Sequence, residues 1–307
     1  MNQHVIPFLQ HFALQQKQTD VTLYAFGSAA SIKILPLDQL HAHLLGQKGV
    51  TTISVLQNLL SQNNQQAEHN RAHFDAQKVL VINLMSSPGS GKTALLEATI
   101  KRLRGSLKIA VIEGDLETEN DAKRIQAQGV PAYQITTGTA CHLDAHLVHD
   151  ALHHMDLENL DLLFIENVGN LVCPASFDLG HHRNVVLLSV TEGDDKPAKY
   201  PVMFRAADLM LISKTDLLPF LDDFSPTNAE QNLHNLANDA PVIEFSSKVG
   251  DGLDTWIAWL HAEISHYRSL LLDHKTQRPK VQQDGQLFHT QPGNTKFYPV
   301  SNKVVHT

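Results

Sequence analysis

Residues 79–93, VLVINLMSSPGSGKT, join an apolar run to a glycine loop and a Lys-Thr pair, and the helix-forming ALLEATIKRL follows at once. A stretch of Val, Ile and Leu without strict polar alternation marks a strand buried on both faces, as parallel sheets require. Strand, glycine loop and helix in this order describe a phosphate-binding loop. Backbone N–H groups and the positive helix end around Gly89, Ser90 and Gly91 cradle a phosphate, Lys92 neutralises the β and γ oxygens, and the Thr93 hydroxyl serves Mg²⁺. The strict pattern opens with Gly, and Ser86 holds that place here.

Outward from this loop, residues 79–272 alternate short apolar runs with helix-like stretches, the pattern of βαβ units. The expected strands are Val79–Met85, Leu107–Glu113, Leu162–Glu166, Val185–Val190, Leu209–Ser213 and Val242–Phe245, with helices starting near Lys92, Glu119, Leu143, Ala198, Ala229 and Leu253. The fold class is therefore α/β, a P-loop NTPase with a mostly parallel sheet flanked by helices. Residues 53–78 read as a polar leading helix. Residues 1–52 form a poorly defined extension in which Val21–Phe26 and Ile32–Leu35 are strand candidates. The Gln- and Pro-rich stretch 273–307 reads as a flexible tail.

The totals narrow the function. Among 307 residues, 32 Asp and Glu outweigh 24 Lys and Arg for a net charge of −8, which argues against a broad grip on nucleic acid or an anionic membrane. The chain lacks both an apolar run of the ~20 residues a membrane helix needs and a leader at its start, so a cytoplasmic location is expected. Two cysteines, Cys141 and Cys173, are too few for a disulfide scaffold and read as thiols or metal ligands. Nineteen histidines point toward metal handling.

Further strand ends complete the nucleotide site. Asp115 closes the second strand, where it either orders a Mg²⁺-bound or attacking water or caps the next helix, with Thr118 just beyond. Glu166 follows a buried apolar strand as an acidic partner for Mg²⁺, and Gly169 can meet the γ-phosphate through its backbone. Ser213-Lys214-Thr215-Asp216 resembles the Asn-Lys-x-Asp base element of GTPases. The Asp216 carboxylate accepts from guanine N1–H and N2–H₂, although Ser213 is shorter than the usual Asn. Ser246 and Ser247 can finish the base pocket with backbone amides. Lys196 and Lys199 are either surface charges or groups that reach nucleotide across a dimer.

Cys141, His142 and Cys173 make a soft but incomplete ligand set suited to Zn²⁺ or Ni²⁺. His142, His146, His149 and His153 are spaced by four, three and four, so a helix there would align them on one face, as metal-transfer positions or as an ordinary polar surface.

Taken together, VINLMSSPGSGKT, VIEGDLETENDAKRI, TGTACHLDAHLV, FIENVGNLVCPASFDLG, LSVTEGDDKPAKYPVMF and ISKTDLLP resemble the HypB family of nickel-incorporation GTPases of nickel-iron hydrogenase maturation, over about residues 53–262. The resemblance implies a GTPase of the signal-recognition and nitrogenase-iron-protein class that dimerises with GTP and helps load nickel into the hydrogenase large subunit; as no arginine finger is identifiable in the sequence, unassisted turnover is expected to be slow. It implies that Cys141, His142 and Cys173 bind Ni²⁺ or Zn²⁺, that Lys92 and Thr93 serve phosphate and Mg²⁺, that Asp115 and Glu166 are acidic switch positions and that Asp216 contacts guanine. It also implies partners: the nickel-binding maturation protein HypA, or a nickel-storing prolyl isomerase. Some members carry a Cys-rich or His-rich amino terminus. His4, His11, His41 and His43 are too scattered to form such a tract.

Overall fold

A computed structural model describes residues 52–115, 120–138 and 140–279. The strand candidates before residue 52, the four histidines there, Thr118, Glu119 and the tail beyond residue 279 lie outside the described residues. Contacts divide the chain between Gln62 and Asn63, and the second unit, from Asn63 onward, carries the sheet.

The chain runs α1 (Thr52–Gln77), β1 (Leu80–Ser86), α2 (Lys92–Leu103), β2 (Ile109–Asp115), α3 (Asn120–Gln126), β3 (Ala132–Thr136), α4 (Ala145–Leu152), β4 (Leu162–Glu166) and a short 3₁₀ turn (Pro174–Ser176). It continues with β5 (Arg183–Ser189), α5 (Lys196–Lys199), α6 (Pro201–Arg205), β6 (Leu209–Ser213), a second 3₁₀ turn (Thr215–Phe220), α7 (Pro226–His234), β7 (Val242–Phe245) and α8 (Leu253–Leu272). The seven strands form one sheet in the order β3-β2-β4-β1-β5-β6-β7, and every pairing is parallel. The sequence yields six of these strands. The seventh, β3, is an edge strand of five mixed residues whose side chains are mostly half-buried, so it lacks the continuous apolar run of the others.

Burial on both faces explains the apolar strands. Leu80, Ile82 and Leu84 of β1 pack with Leu95 and Ile100 of α2 and Trp256 and Leu260 of α8. Val79 and Val81 turn the other way, toward Phe74 of α1 and Val148 and Leu152 of α4. A third cluster holds Met210 and Ile212 of β6 with Met203 and Phe204 of α6. All strand C-termini therefore open on one edge, and β1 lies at the middle of it, where chain order departs in both directions, the switch point at which open α/β sheets bind their ligands. No helix among the described residues is long and apolar enough to cross a membrane.

Helix α1 reads as polar, yet several of its polar residues are buried clamps. Asn63 Nδ2 donates to the Asp178 carbonyl at 2.8 Å while its Oδ1 accepts from Ala145 N at 2.9 Å. Asn70 Nδ2 donates to the carbonyls of Ala145 and Leu179. Arg71, only 1% exposed, holds both Asp178 carboxylate oxygens at 2.8 Å. This packing needs Gly180, because a Cβ there would lie 2.6 Å from the Ala67 carbonyl oxygen, and its φ of +89° is itself a glycine conformation.

Two fully buried histidines follow. His181 Nδ1 accepts from Leu179 N, so its Nε2–H donates to Asn184 Oδ1 at 2.7 Å. His182 Nδ1 accepts from Val81 N, which leaves its Nε2–H for Asp75 Oδ1. Burial drives the His181 pKa from 6.5 down to about 4. The folded state therefore binds fewer protons than the unfolded one between these values, and the His181 contribution is complete above pH 6.5 and lost as pH falls toward 4. The unfolding free energy of the wild type, minus that of His181→Gln to cancel other titrating groups, is expected to grow by a few kcal/mol from pH 4 to 6.5 and then level off. Denaturant titrations across that range check it, and a flat difference would contradict a buried neutral imidazole.

Candidate functional site

The loop between β1 and α2 takes its shape from two glycines with positive φ, Gly89 at 74° and Gly91 at 98°. Lys92 begins α2 and is nearly buried. Its Nζ donates to Ser86 Oγ at 3.0 Å and lies 3.9 Å from Glu166 Oε1. Ser86 thus anchors the phosphate lysine from the position where the strict motif has Gly. Thr93 Oγ1 donates to the same Glu166 Oε1 at 3.0 Å. Lys92, Thr93 and Glu166 therefore meet at one point at the end of β1 and β4.

One participant escapes the sequence reading. Glu113 of β2 is in register with Glu166 of β4, and both are buried. Burial, then the Glu166 carboxylate, push the Glu113 pKa up to about 11, and burial raises Glu166 as well against the pull of Lys92. Each carboxyl is thus held toward its neutral form, chiefly by burial. Glu113 Oε1 and Glu166 Oε2 are buried without hydrogen-bond partners, so the pair carries coordinating capacity that a hard cation would satisfy. In the sequence Glu113 looks like one more strand residue beside Asp115. Asp115 itself lies two positions further along β2, and its backbone carbonyl accepts from Thr137 N.

The loop after β4 lies directly on the phosphate loop. Asn167 N donates to the Leu84 carbonyl and Asn170 N to the Ser86 carbonyl. Gly169 approaches so closely that a Cβ would fall 2.8 Å from Pro88 Cα. Gly169 is therefore required for the close contact between the two loops.

At the far side, the base element is tied to the phosphate loop. Ser213 Oγ donates to the Ser90 carbonyl at 2.6 Å, and Lys214 Nζ donates to the Gly89 carbonyl at 2.7 Å. Lys214 adopts a left-handed conformation with φ 61°. Asp216 Oδ1 accepts from Ser246 Oγ at 2.7 Å, which fixes one edge of a carboxylate that can accept further donors. Ser246 is buried by this role, whereas Ser247 is exposed. Glu192, also unread in the sequence, accepts from Ser90 Oγ at 2.5 Å and caps the loop from the end of β5. Lys199 pairs with Asp195 and Lys196 lies over the Tyr200 ring, so α5 carries local contacts for both.

Seven residues past Glu166, the same β4 loop delivers Cys173. Its Sγ lies 3.1 Å from Cys141 Sγ, and His142 Nδ1 lies 3.7 Å from Cys141 Sγ. Among the described residues these three form the one His, Cys, Asp or Glu trio whose ligand atoms all fall within 4.8 Å. The Cys173 contact, and then His142, pull the Cys141 pKa down to about 5, while the Cys141 contact and burial push Cys173 above the ordinary thiol range. One thiolate, one thiol and one imidazole stacked on Phe177 at 3.9 Å give an S₂N donor set, one ligand short of a tetrahedral site, which suits Zn²⁺ or Ni²⁺. Asn167 links this trio to the sheet. Its Oδ1 accepts from Leu143 N, next to His142, and its Nδ2 donates to Asn83 of β1.

The histidine ridge is only partly formed. Helix α4 starts at Ala145 with Asp144 as its N-cap, so His142 belongs to the preceding loop. His146 and His149 lie on the helix, and His153 is its C-cap.

The sequence of residues 80–244 matches the CobW/HypB/UreG nucleotide-binding domain. The hydrogenase maturation factor HypB of Escherichia coli K12 is 50% identical over 223 residues, covering 73% of this chain and 76% of the relative. The chain belongs to the HypB family. The HypB of Azotobacter vinelandii is 52% identical over 72% of this chain and 73% of its own length. A crystal structure of Helicobacter pylori HypB in complex with nickel superposes with a TM-score of 0.62 at 40% identity, over 70% of this chain and 98% of that one. Archaeoglobus fulgidus HypB gives a TM-score of 0.63 at 39% identity, over 67% and 100%. For a HypB-family chain, the phosphate loop and the thiolate trio are thus two sites on one sheet edge, joined by the eight residues Glu166–Cys173.

Proposed function

We propose that this protein is a GTP-hydrolysing nickel metallochaperone that delivers Ni²⁺ during maturation of nickel-iron hydrogenase. The observation that supports it most is the shared β4 loop, which runs from the nucleotide carboxylate Glu166, through Gly169 against Pro88, to the thiol of Cys173.

The backbone N–H groups of Gly89–Thr93 hold the phosphates, Lys92 neutralises the β and γ oxygens and Asp216 selects guanine. Thr93 and Glu166, with Asp115 at the neighbouring strand end, would hold Mg²⁺, which when bound neutralises charge building on the phosphates. Asp115 orients the attacking water, and the Gly169 N–H meets the γ-phosphate. Unassisted turnover is slow, as it is for GTPases whose arginine finger comes from a partner. Loss of the γ-phosphate releases the Glu166–Gly169 loop, and Cys173 moves relative to Cys141 and His142. Nickel is the cargo and is held by Cys141, His142 and Cys173, where Zn²⁺ also fits. The working form is a cytoplasmic, GTP-dependent homodimer. It receives metal from HypA or a nickel-storing prolyl isomerase and serves the hydrogenase large subunit.

Equilibrium dialysis of Ni²⁺ against the full chain, with GDP and with a non-hydrolysable GTP analogue, tests the coupling. The nickel affinity is expected to differ at least several-fold between the two nucleotides, and Cys141→Ser, which removes a direct ligand, is expected to lower it by at least the roughly 10–100-fold that loss of an outer-shell partner costs. Equal affinity in both nucleotide states would overturn delivery driven by hydrolysis.

A further inference from the structure

A second group of imidazoles lies where α1 meets α4, apart from the thiolate trio. His149 of α4 is half-buried between two exposed histidines. Its ring centroid is 5.2 Å from that of His69 on α1, at an interplanar angle of 72°, and 4.8 Å from that of His153, at 77°. His69 and His73 are four residues apart on α1, as His149 and His153 are along α4, so each pair projects from one side of its helix. The histidine after His153 is engaged elsewhere, because His154 stacks on Tyr133 at 5.0 Å.

Two observations point to a ligand here. The first is spacing. Two imidazoles on one ion, at metal–nitrogen distances of ~2.1 Å, bring their ring centroids to about 4.5–5.2 Å. Both observed separations fall in or at the edge of that range; the ligand nitrogens of the three do not yet lie as close together as the ligand atoms of the thiolate trio, so exposed His69 and His153 would have to turn about their side-chain bonds to converge. The second is an unsatisfied atom. His149 Nδ1 is buried and has no hydrogen-bond partner, a condition that costs about 1–3 kcal/mol unless something occupies its lone pair or accepts its proton. His73 extends the site toward a groove it lines with Asp156 and Glu158, whose carboxylates favour a cation nearby.

We propose that His69, His149 and His153, with His73 in reach, form a second binding site for a borderline divalent cation of the Ni²⁺ or Zn²⁺ class. Lacking thiolate, this site binds more weakly than Cys141–His142–Cys173 and exchanges its ion faster. The inference concerns metal binding alone and does not depend on GTP hydrolysis or on hydrogenase maturation.

The test uses Ni²⁺ alone and the full chain carrying Cys141→Ser and Cys173→Ser, which removes the thiolate site. Dialysis is expected to show one remaining equivalent of Ni²⁺, without a sulfur-to-nickel charge-transfer band. Adding His149→Gln and His153→Gln, which removes two direct ligands, is expected to weaken that equivalent by at least the roughly 10-fold that loss of a single outer-shell partner costs, with circular dichroism reporting the fold. Because His149 is half-buried, the exposed pair His69→Gln and His153→Gln is measured in parallel and is expected to give a similar loss. Absence of Ni²⁺ from the serine variant, or unchanged binding after the exposed pair is replaced, overturns the proposal.

Discussion

Lys92→Ala is expected to lower GTP turnover by roughly 10²–10³-fold, the usual cost of removing one preorganised partner of developing transition-state charge. The size follows from the neighbourhood. Lys92 Nζ is almost fully buried at the end of β1, 3.0 Å from Ser86 Oγ and 3.9 Å from Glu166 Oε1, with Glu113 behind. Without the ammonium, incoming phosphates face two carboxyls with no fixed cation beside them. Lys214 does not substitute, because its Nζ is held by the Gly89 carbonyl on the base side of the loop. Single-turnover phosphate release measures the loss. The Ni²⁺ affinity of the nucleotide-free variant should stay unchanged, because Lys92 touches none of Cys141, His142 and Cys173. Turnover within tenfold of wild type would mean that the charge is met from elsewhere, for instance by a partner protomer.

How far the sequence can be read depends on whether a residue's role is local. The phosphate loop is local. Gly89, Gly91, Lys92 and Thr93 act through consecutive backbone geometry, so order and spacing reveal them. The position of Asp216 is legible for the same reason, just past an apolar strand, while its contact with Ser246 is not. Glu113 is not, because what makes it chemical is its register with Glu166 across β2 and β4, fifty-three positions apart. Ser213 reads as a defect against the usual Asn, yet its hydroxyl holds the Ser90 carbonyl, a contact that exists only once β6 lies beside the loop. Cys141 and Cys173 become one site only through the β4 loop.

The polar helix α1 shows the same limit. Its pattern of Gln, Asn, His and Arg describes a solvated helix, because hydrogen-bonded burial of amides and a guanidinium leaves no apolar period to find. The histidine ridge fails from the opposite cause. Regular spacing suggests one face for His142 through His153, but Asp144 caps α4 and cuts His142 away, while His69, from another element, takes its place beside His149.

Arg71→Ala is expected to destabilise the protein by about 3–5 kcal/mol, since breaking a buried pair strands the remaining charge. Arg71 is 1% exposed and binds both oxygens of buried Asp178, Glu68 Oε1 and the His181 carbonyl. Asp178 keeps one backbone donor, Gly180 N at 2.8 Å, which is too little for a desolvated carboxylate. Chemical denaturation should therefore show a lower midpoint with an unchanged slope. Replacing both partners, as Arg71→Met with Asp178→Leu, should cost less than Arg71→Ala alone, since no lone buried charge remains. A loss below ~1 kcal/mol for Arg71→Ala would mean that water reaches the pair. The damage should also travel. Asp178 stands five residues after Cys173, and Asn63 and Asn70 of the same helix hold the carbonyls of Asp178 and Leu179 as well as both backbone groups of Ala145, just beyond His142. Loosening α1 frees both segments that carry the thiolate trio. Nickel affinity in Arg71→Ala should accordingly fall under conditions where the chain is still folded, while Lys92→Ala leaves that affinity intact.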